Sequence, residues 1–124
     1  MAYELTALIG VGSPPTGAVA LPQGAWLLPL CDDGPHGAEA FSRDGAVVYV
    51  AAEFFGGVGE QAATLYRHGR VEREFDNGYH AINEALAALG ITAELPKDSF
   101  DTLGLGRYRH TADWLRAIGQ RPLL

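Results

Sequence analysis

One stretch of the sequence, Ala46–Phe55, constrains the fold more than any other. Its residues are apolar at both odd and even positions, apart from Glu53. A strand that is apolar on both faces is typical of the centre of a sheet. The glycine-rich segment 56–59 follows, and a second strand is predicted from Gln61 onward. We therefore expect the rest of the chain to pack around this pair of strands.

Apolar alternation predicts further strands in the first 75 residues. Tyr3–Val11 has period-two alternation, with Leu5, Ala7, Ile9 and Val11 on one face. Ala18–Leu21 predicts a short strand or an extended loop. Ala25–Leu30 predicts an edge or broken strand, because Pro29 has no amide hydrogen to donate.

A hairpin is predicted where Gln61–Arg67 and Arg70–Phe75 flank the dipeptide His68-Gly69. Two connecting residues with glycine second are typical of a tight turn between paired strands.

Helical periodicity comes only after residue 76. A helix is predicted over Tyr79–Leu89, ending at Gly90, because apolar residues recur there at spacings of three and four. A second helix is predicted over Ala112–Ile118, capped by Thr111, with Trp114 and Leu115 facing inward. Strands followed by helices indicate the α+β class. We expect one domain with an antiparallel sheet of about four to six strands, packed on one face by two C-terminal helices.

Charge and composition limit the function classes. The chain has 9 Lys and Arg residues against 15 Asp and Glu residues, a formal net charge of −6. This balance disfavours binding to nucleic acid and favours a basic partner. The single cysteine, Cys31, fits a reducing compartment, and neither a signal peptide nor a membrane-spanning segment is predicted. We therefore expect a cytoplasmic protein.

The sequence predicts no catalytic, metal or cofactor site. None of the four histidines is three or four residues from another, so the usual zinc spacings are missing. The glycines at 56–59 precede a predicted strand rather than a helix, which disfavours phosphate binding. We therefore expect a protein that is not an enzyme.

Three segments together resemble small uncharacterised proteins of high-GC bacteria. They are residues 53–63 (EFFGGVGEQAA), 81–91 (AINEALAALGI) and 100–109 (FDTLGLGRYR). Those proteins are similar in size and acidity to the immunity proteins of polymorphic toxin systems, which neutralise toxins delivered between bacteria. The resemblance implies a binding protein that occludes a toxin surface, and it transfers no functional residue.

The leading hypothesis is therefore an immunity-type protein that binds a protein partner, for which a basic toxin domain is one candidate. Its binding face would be formed by acidic residues: Asp32, Asp33, Glu53, Glu60, Glu72, Glu74 and Asp76.

Two alternatives remain open. The first is a small enzyme or ligand-binding domain with a pocket near the loop Gly56–Gly59, lined by Tyr49, Glu53, Tyr66, Arg107 and His110. The second is a self-associating subunit that uses the predicted edge strand near Trp26–Leu30. The sequence does not determine the oligomeric state.

Overall fold

The computed structural model of the chain describes residues 2–30, 37–43, 45–55, 58–75, 81–93, 102–105 and 110–117. The strands are β1 (Ala2–Val11), β2 (Val19–Ala20), β3 (Ala25–Pro29), β4 (Ala46–Phe55), β5 (Val58–Arg67) and β6 (Arg70–Phe75). The helices are α1 (Ala38–Phe41), α2 (Ala81–Leu89) and α3 (Thr111–Ala117). The six strands form one antiparallel sheet in the order β2-β3-β1-β4-β5-β6. The α+β class is confirmed, with the sheet in the N-terminal part and α2 and α3 following it.

Strand β4 lies in the middle of the sheet, as its apolar faces predict. It pairs with β1 from Gly10↔Val47 to Ala2↔Phe55 and with β5 along its whole length. β5 begins at Val58, three residues before the predicted start at Gln61. The pairing with β4 ends at Phe55↔Val58, so only residues 56 and 57 separate the two strands.

One face of the sheet, which we call the helix face, carries the larger core. This core includes buried residues at alternate positions of β1, β4 and β5: Leu5, Ala7, Ile9, Val48, Val50, Ala52, Ala63 and Leu65. Helices α2 and α3 cover this face with Ile82, Leu86 and Trp114, each at most 1% exposed. Full burial of a Leu, Ile or Val side chain contributes about 1.5–3 kcal/mol to stability. This larger layer therefore supplies most of the hydrophobic stabilisation.

The opposite face, which we call the second face, carries a smaller core. Leu8, Trp26, Val47 and Tyr66 cluster there with Ala38 of α1. The sequence predicts helices on one face only. Helix α1 spans four residues, which is too short for the periodicity that predicts a helix, and so it was missed.

Pro29 predicted an edge or broken strand, and β3 is continuous over Ala25–Pro29 with only the short β2 on its outer side. β2 lies outside it but pairs only at Val19↔Leu27 and Ala20↔Trp26. Pro29 is beyond this short pairing and faces Ala7 of β1 on its other side. The sheet therefore tolerates a residue without an amide hydrogen at that position.

The predicted hairpin is confirmed at His68-Gly69. Both residues have positive φ, 54° and 78°, as a type I′ turn requires. The amide of Gly69 donates to Ser42 Oγ at 3.0 Å, and Ser42 Oγ donates to the carbonyl of Glu39 at 3.0 Å. The buried Ser42 hydroxyl thus ties the hairpin to α1.

Both ends of α2 are fixed by specific hydrogen bonds. The amide of Ile82 donates to Gln61 Oε1 of β5 at 3.1 Å. At the other end Gly90 has φ 103°, its amide donates to Ala87, and the amide of Ile91 donates to the carbonyl of Leu86. This is a Schellman motif, and it confirms Gly90 as the residue that ends the helix. The predicted helical residues Tyr79 and His80 lie outside the described residues.

Helix α3 begins at Thr111, but the hydroxyl of Thr111 does not cap its own helix. It donates to Glu4 Oε2 at 2.7 Å and accepts the amide of Thr6 at 2.9 Å. The first amide of the helix, that of Thr111, donates to Glu4 Oε1 at 3.1 Å. Trp114 and Leu115 are buried as predicted, and Ile118 lies outside the described residues.

Candidate partner-binding face

Three glutamates occupy a single row across adjacent strands of the second face. Glu53 of β4 is directly opposite Glu60 of β5 and, on its other side, Glu4 of β1. We call these register positions the glutamate row. Like charges directly opposite one another are unfavourable in a sheet, and the carboxylate of Glu4 is instead bonded to Thr111. Glu53 and Glu60 are among the residues predicted from the sequence, but Glu4 is not, because the pairing of β1 with β4 is not visible there.

The outer strands also separate charge by face. Glu74 is opposite Thr64 and so falls on the second face with the glutamate row. The arginines fall on the helix-face side: Arg67 is opposite Ala46, and Arg73 is opposite Leu65, with its guanidinium 4.5 Å from the ring centroid of Phe75. The second face is therefore the negative one in the described part of β4, β5 and β6.

Glu72 differs from the other acidic residues of the predicted set. It lies at the irregularity of β6, where the pairing skips from Val71 to Arg73. Its two carboxylate oxygens accept from Arg67 Nε at 3.0 and 3.1 Å. Glu72 is thus paired with an arginine of the helix-face side rather than added to the negative second face.

The second face is only partly covered. Glu53, Ala62 and Glu74 are exposed, and Ala51 and Thr64 are half-buried. These side chains are small or acidic, and α1 packs beside Val47 and Tyr66 rather than over them. The uncovered part is therefore a surface of short side chains with carboxylates at its edges, which suits contact with another protein surface.

Glu4 is a member of the row whose carboxylate is already engaged. It accepts from the amide and hydroxyl of Thr111. Its charge therefore lies at the N-terminus of α3, where a negative group is stabilised. Glu53 and Glu74 are the described members of the predicted set that present an exposed carboxylate on the second face.

Two residues of the alternative pocket are brought together. Both lie on the second face of neighbouring strands, where Tyr66 belongs to the smaller core and Tyr49 packs against it. Burial, and then the nearby Glu39, Tyr49 and Glu74, raise the pKa of Tyr66. His110 is exposed just before α3. That these residues line a ligand pocket stays a prediction.

Several predicted site residues lie outside the described part of the chain. They are Asp32, Asp33, Asp76 and Arg107, together with Gly56 and Gly57 of the glycine-rich loop and the side chain of Glu60. Their part in the predicted binding face or pocket stays a prediction.

A pocket of about 190 Å³ opens at the other end of β4 from the glycine-rich loop. It is lined by Val11, Ser13, Pro15, Trp26, Phe41, Gly45, Ala46 and Val47. These residues come from β1, β3, α1, β4 and the segments after β1 and before β4. The sequence does not predict this pocket, because no local pattern connects such distant segments.

The described residues hold neither a metal-binding cluster nor a membrane-spanning helix. No group of three or more His, Cys, Asp and Glu side chains there could hold a metal ion. In the same part of the chain, no helix has the length and apolar character needed to cross a membrane.

Comparison with known proteins gives no relative. No protein-family model matches the chain, and no curated protein or solved structure matches it either. The geometry of the second face is therefore the observation that bears on function.

Proposed function

We propose that this chain is a non-enzymatic binding protein of the immunity type, which neutralises a bacterial toxin by covering its surface. The observation that carries the proposal is the separation of charge between the two faces of the sheet. The glutamate row and Glu74 fall on the partly uncovered second face, whereas Arg67 and Arg73 fall on the helix-face side.

A negative face of this kind has a physical use in binding. Carboxylates exposed on a partly uncovered face can pair with the cations of a basic partner surface, which favours the complex. Opposite fields also speed the encounter of the two proteins, and the effect falls as salt rises. The short side chains between the carboxylates allow close approach over a broad area, as occlusion of a toxin requires.

The compartment belongs to the same proposal. An immunity-type protein acts where the delivered toxin acts, and we place this chain in the cytoplasm. The single cysteine, which fits a reducing compartment, supports this location. The partner expected there is a toxin domain with a basic surface.

Growth rescue tests the proposal. The secreted toxin encoded nearest to the gene of this chain is induced in a sensitive host, with and without co-expression of the chain. We expect the wild-type chain to restore growth and the double charge reversal Glu53→Lys with Glu74→Lys to abolish the rescue.

A matched control comes from the same sheet. Glu72→Lys reverses one charge, as each substitution of the double variant does. Glu72, however, pairs with Arg67 away from the second face. The exposed pair contributes about 0–1 kcal/mol, so this variant should fold and still restore growth. Rescue that is equal in all variants, or no rescue by the wild-type chain, would count against the proposal.

A further inference from the structure

The pocket at the start of β4 combines apolar side chains with exposed polar atoms on its walls, and its lining lacks charge. Trp26, Phe41, Val11 and Val47 line it, and none of its lining residues is ionisable. Its back wall is fixed, because the indole of Trp26 packs directly over Gly10, where a Cβ atom would clash. Phe41 meets Trp26 edge to face, with ring centroids 6.1 Å apart. The pocket is thus formed before anything binds, which lowers the cost of binding.

The rim of this pocket exposes apolar surface to water. Val11 is 48% exposed and Phe41 is 41% exposed. Two of the three large exposed hydrophobic residues in the described part of the chain therefore lie at one place. Exposed apolar side chains that cluster beside a pocket, rather than scatter singly, indicate a surface that contacts something else.

Size distinguishes between two kinds of occupant. Small-molecule sites usually have volumes of about 300–1,000 Å³. The pocket, at about 190 Å³, is smaller than that range. It suits a single large side chain, and anchor residues of protein interfaces fill pockets of this kind.

The pocket and the negative part of the second face are continuous through α1. Phe41 of α1 lines the pocket, and Glu39 of the same helix is exposed. Glu39 and Glu74 both lie near enough to Tyr66 to affect its ionisation. Basic residues beside an apolar side chain that enters the pocket would complement Glu39, which is two positions from Phe41.

We infer that this pocket is the anchor point of the partner interface and receives one large apolar side chain that is flanked by basic residues. The inference rests on the proposed function, because it assigns the side chain to the same basic protein partner. In this arrangement the second face supplies attraction and the pocket supplies selectivity for the segment that carries the anchor.

Two labelled peptides serve as probes. Each has seven residues with two lysines at either end, and the central residue is phenylalanine in one and alanine in the other. Fluorescence anisotropy at low ionic strength measures both dissociation constants. We expect the phenylalanine peptide to bind about tenfold more tightly, which corresponds to about 1.4 kcal/mol. In NMR spectra it should shift the indole resonance of Trp26 and leave that of the core residue Trp114 unchanged.

A variant that fills the pocket provides the decisive comparison. A Cβ atom at Gly45 meets no atom within 4 Å, so Gly45→Phe adds a ring at the pocket without a backbone clash. It should remove the preference for the phenylalanine peptide and leave the affinity for the alanine peptide unchanged. Ala87→Phe, at an exposed position of α2, is the matched control and should keep the preference. If Gly45→Phe does not fold, Ser13→Phe fills the pocket from the segment after β1.

The outcomes separate the two proposals. Equal affinity of both peptides for the wild-type chain, or a preference that persists when the pocket is filled, overturns the anchor. If the double reversal Glu53→Lys with Glu74→Lys then weakens both peptides equally, the negative second face still attracts basic segments and the proposed function keeps its basis. Failure of both peptides to bind the wild-type chain overturns that attraction and the anchor together.

Discussion

Glu4 and Thr111, which are 107 positions apart in the chain, are joined by two hydrogen bonds. The carboxylate of Glu4 accepts the amide of Thr111 at 3.1 Å and its hydroxyl at 2.7 Å. The same hydroxyl accepts the amide of Thr6 at 2.9 Å, just past the end of the pairing between β1 and β3. The contact therefore closes the edge of β1 and begins α3 with one set of bonds.

We expect Thr111→Val to lower the free energy of unfolding by about 1–3 kcal/mol, because it keeps the shape but leaves the amide of Thr6 without its acceptor. Thr111 is only 6% exposed, so water does not readily replace the lost partner. Urea unfolding measures the change. Thr111→Ser keeps the hydroxyl and should lose much less; equal stability of the valine and serine variants would contradict this role.

Gly10 is the residue that allows Trp26 to lie flat against β1. An added Cβ atom would overlap the indole ring, so we expect Gly10→Ala to displace the ring and cost about 1–3 kcal/mol. Tryptophan fluorescence should shift at the same time, because Trp26 is 4% exposed in the native chain. In a Trp26→Leu background, Gly10→Ala should lower the stability by less, because residues 10 and 26 are in contact. Additive costs in the double variant would show that the clash is not the cause.

Periodic patterns within one element predicted much of this fold. The bounds of β4 and β6, the turn at His68-Gly69 and the end of α2 at Gly90 were all predicted from local residues. These features depend on apolar spacing and on φ preferences, which a short stretch of sequence carries by itself.

The candidate site was less predictable because it depends on strand pairing. Glu53 and Glu60 are adjacent to one loop and were identified, whereas Glu4 joins them only through the register of β1 with β4. Trp26 and Phe41 meet in the pocket from separate segments, and nothing in either segment indicates the other. Side chains that meet over long sequence separations need the topology before they can be assigned to one site.

Gly90 lets the chain leave α2 with a positive φ of 103°. A side chain is strained in this region, so we expect Gly90→Ala to destabilise the protein by about 1–2 kcal/mol. Gly45→Ala is the matched control, because its φ is not in the positive range and its Cβ would meet no atom. That control should be neutral or stabilise by about 0.4–1 kcal/mol through the unfolded state. Thermal and urea unfolding of both variants compare them, and equal effects would refute the role of Gly90.

Tyr66 links the smaller core to the pH dependence of stability. The pKa of Tyr66 is raised above its ordinary value of about 10. Burial is the largest cause, and the nearby Glu39, Tyr49 and Glu74 add to it. The unfolded chain therefore releases this proton at lower pH than the folded chain does. The stability that Tyr66 contributes is complete below about pH 10 and is lost as the pH rises through the raised pKa.

We expect Tyr66→Phe to remove this part of the alkaline destabilisation. Urea unfolding at about pH 9 and about pH 11 should show a smaller loss of stability for the variant than for the wild-type chain. Tyrosinate absorbance gives an independent readout: the wild-type signal minus that of the variant isolates Tyr66, which should ionise at higher pH in the folded chain than in urea. A difference signal that ionises at the same pH in both states would contradict the burial of the phenol in this core.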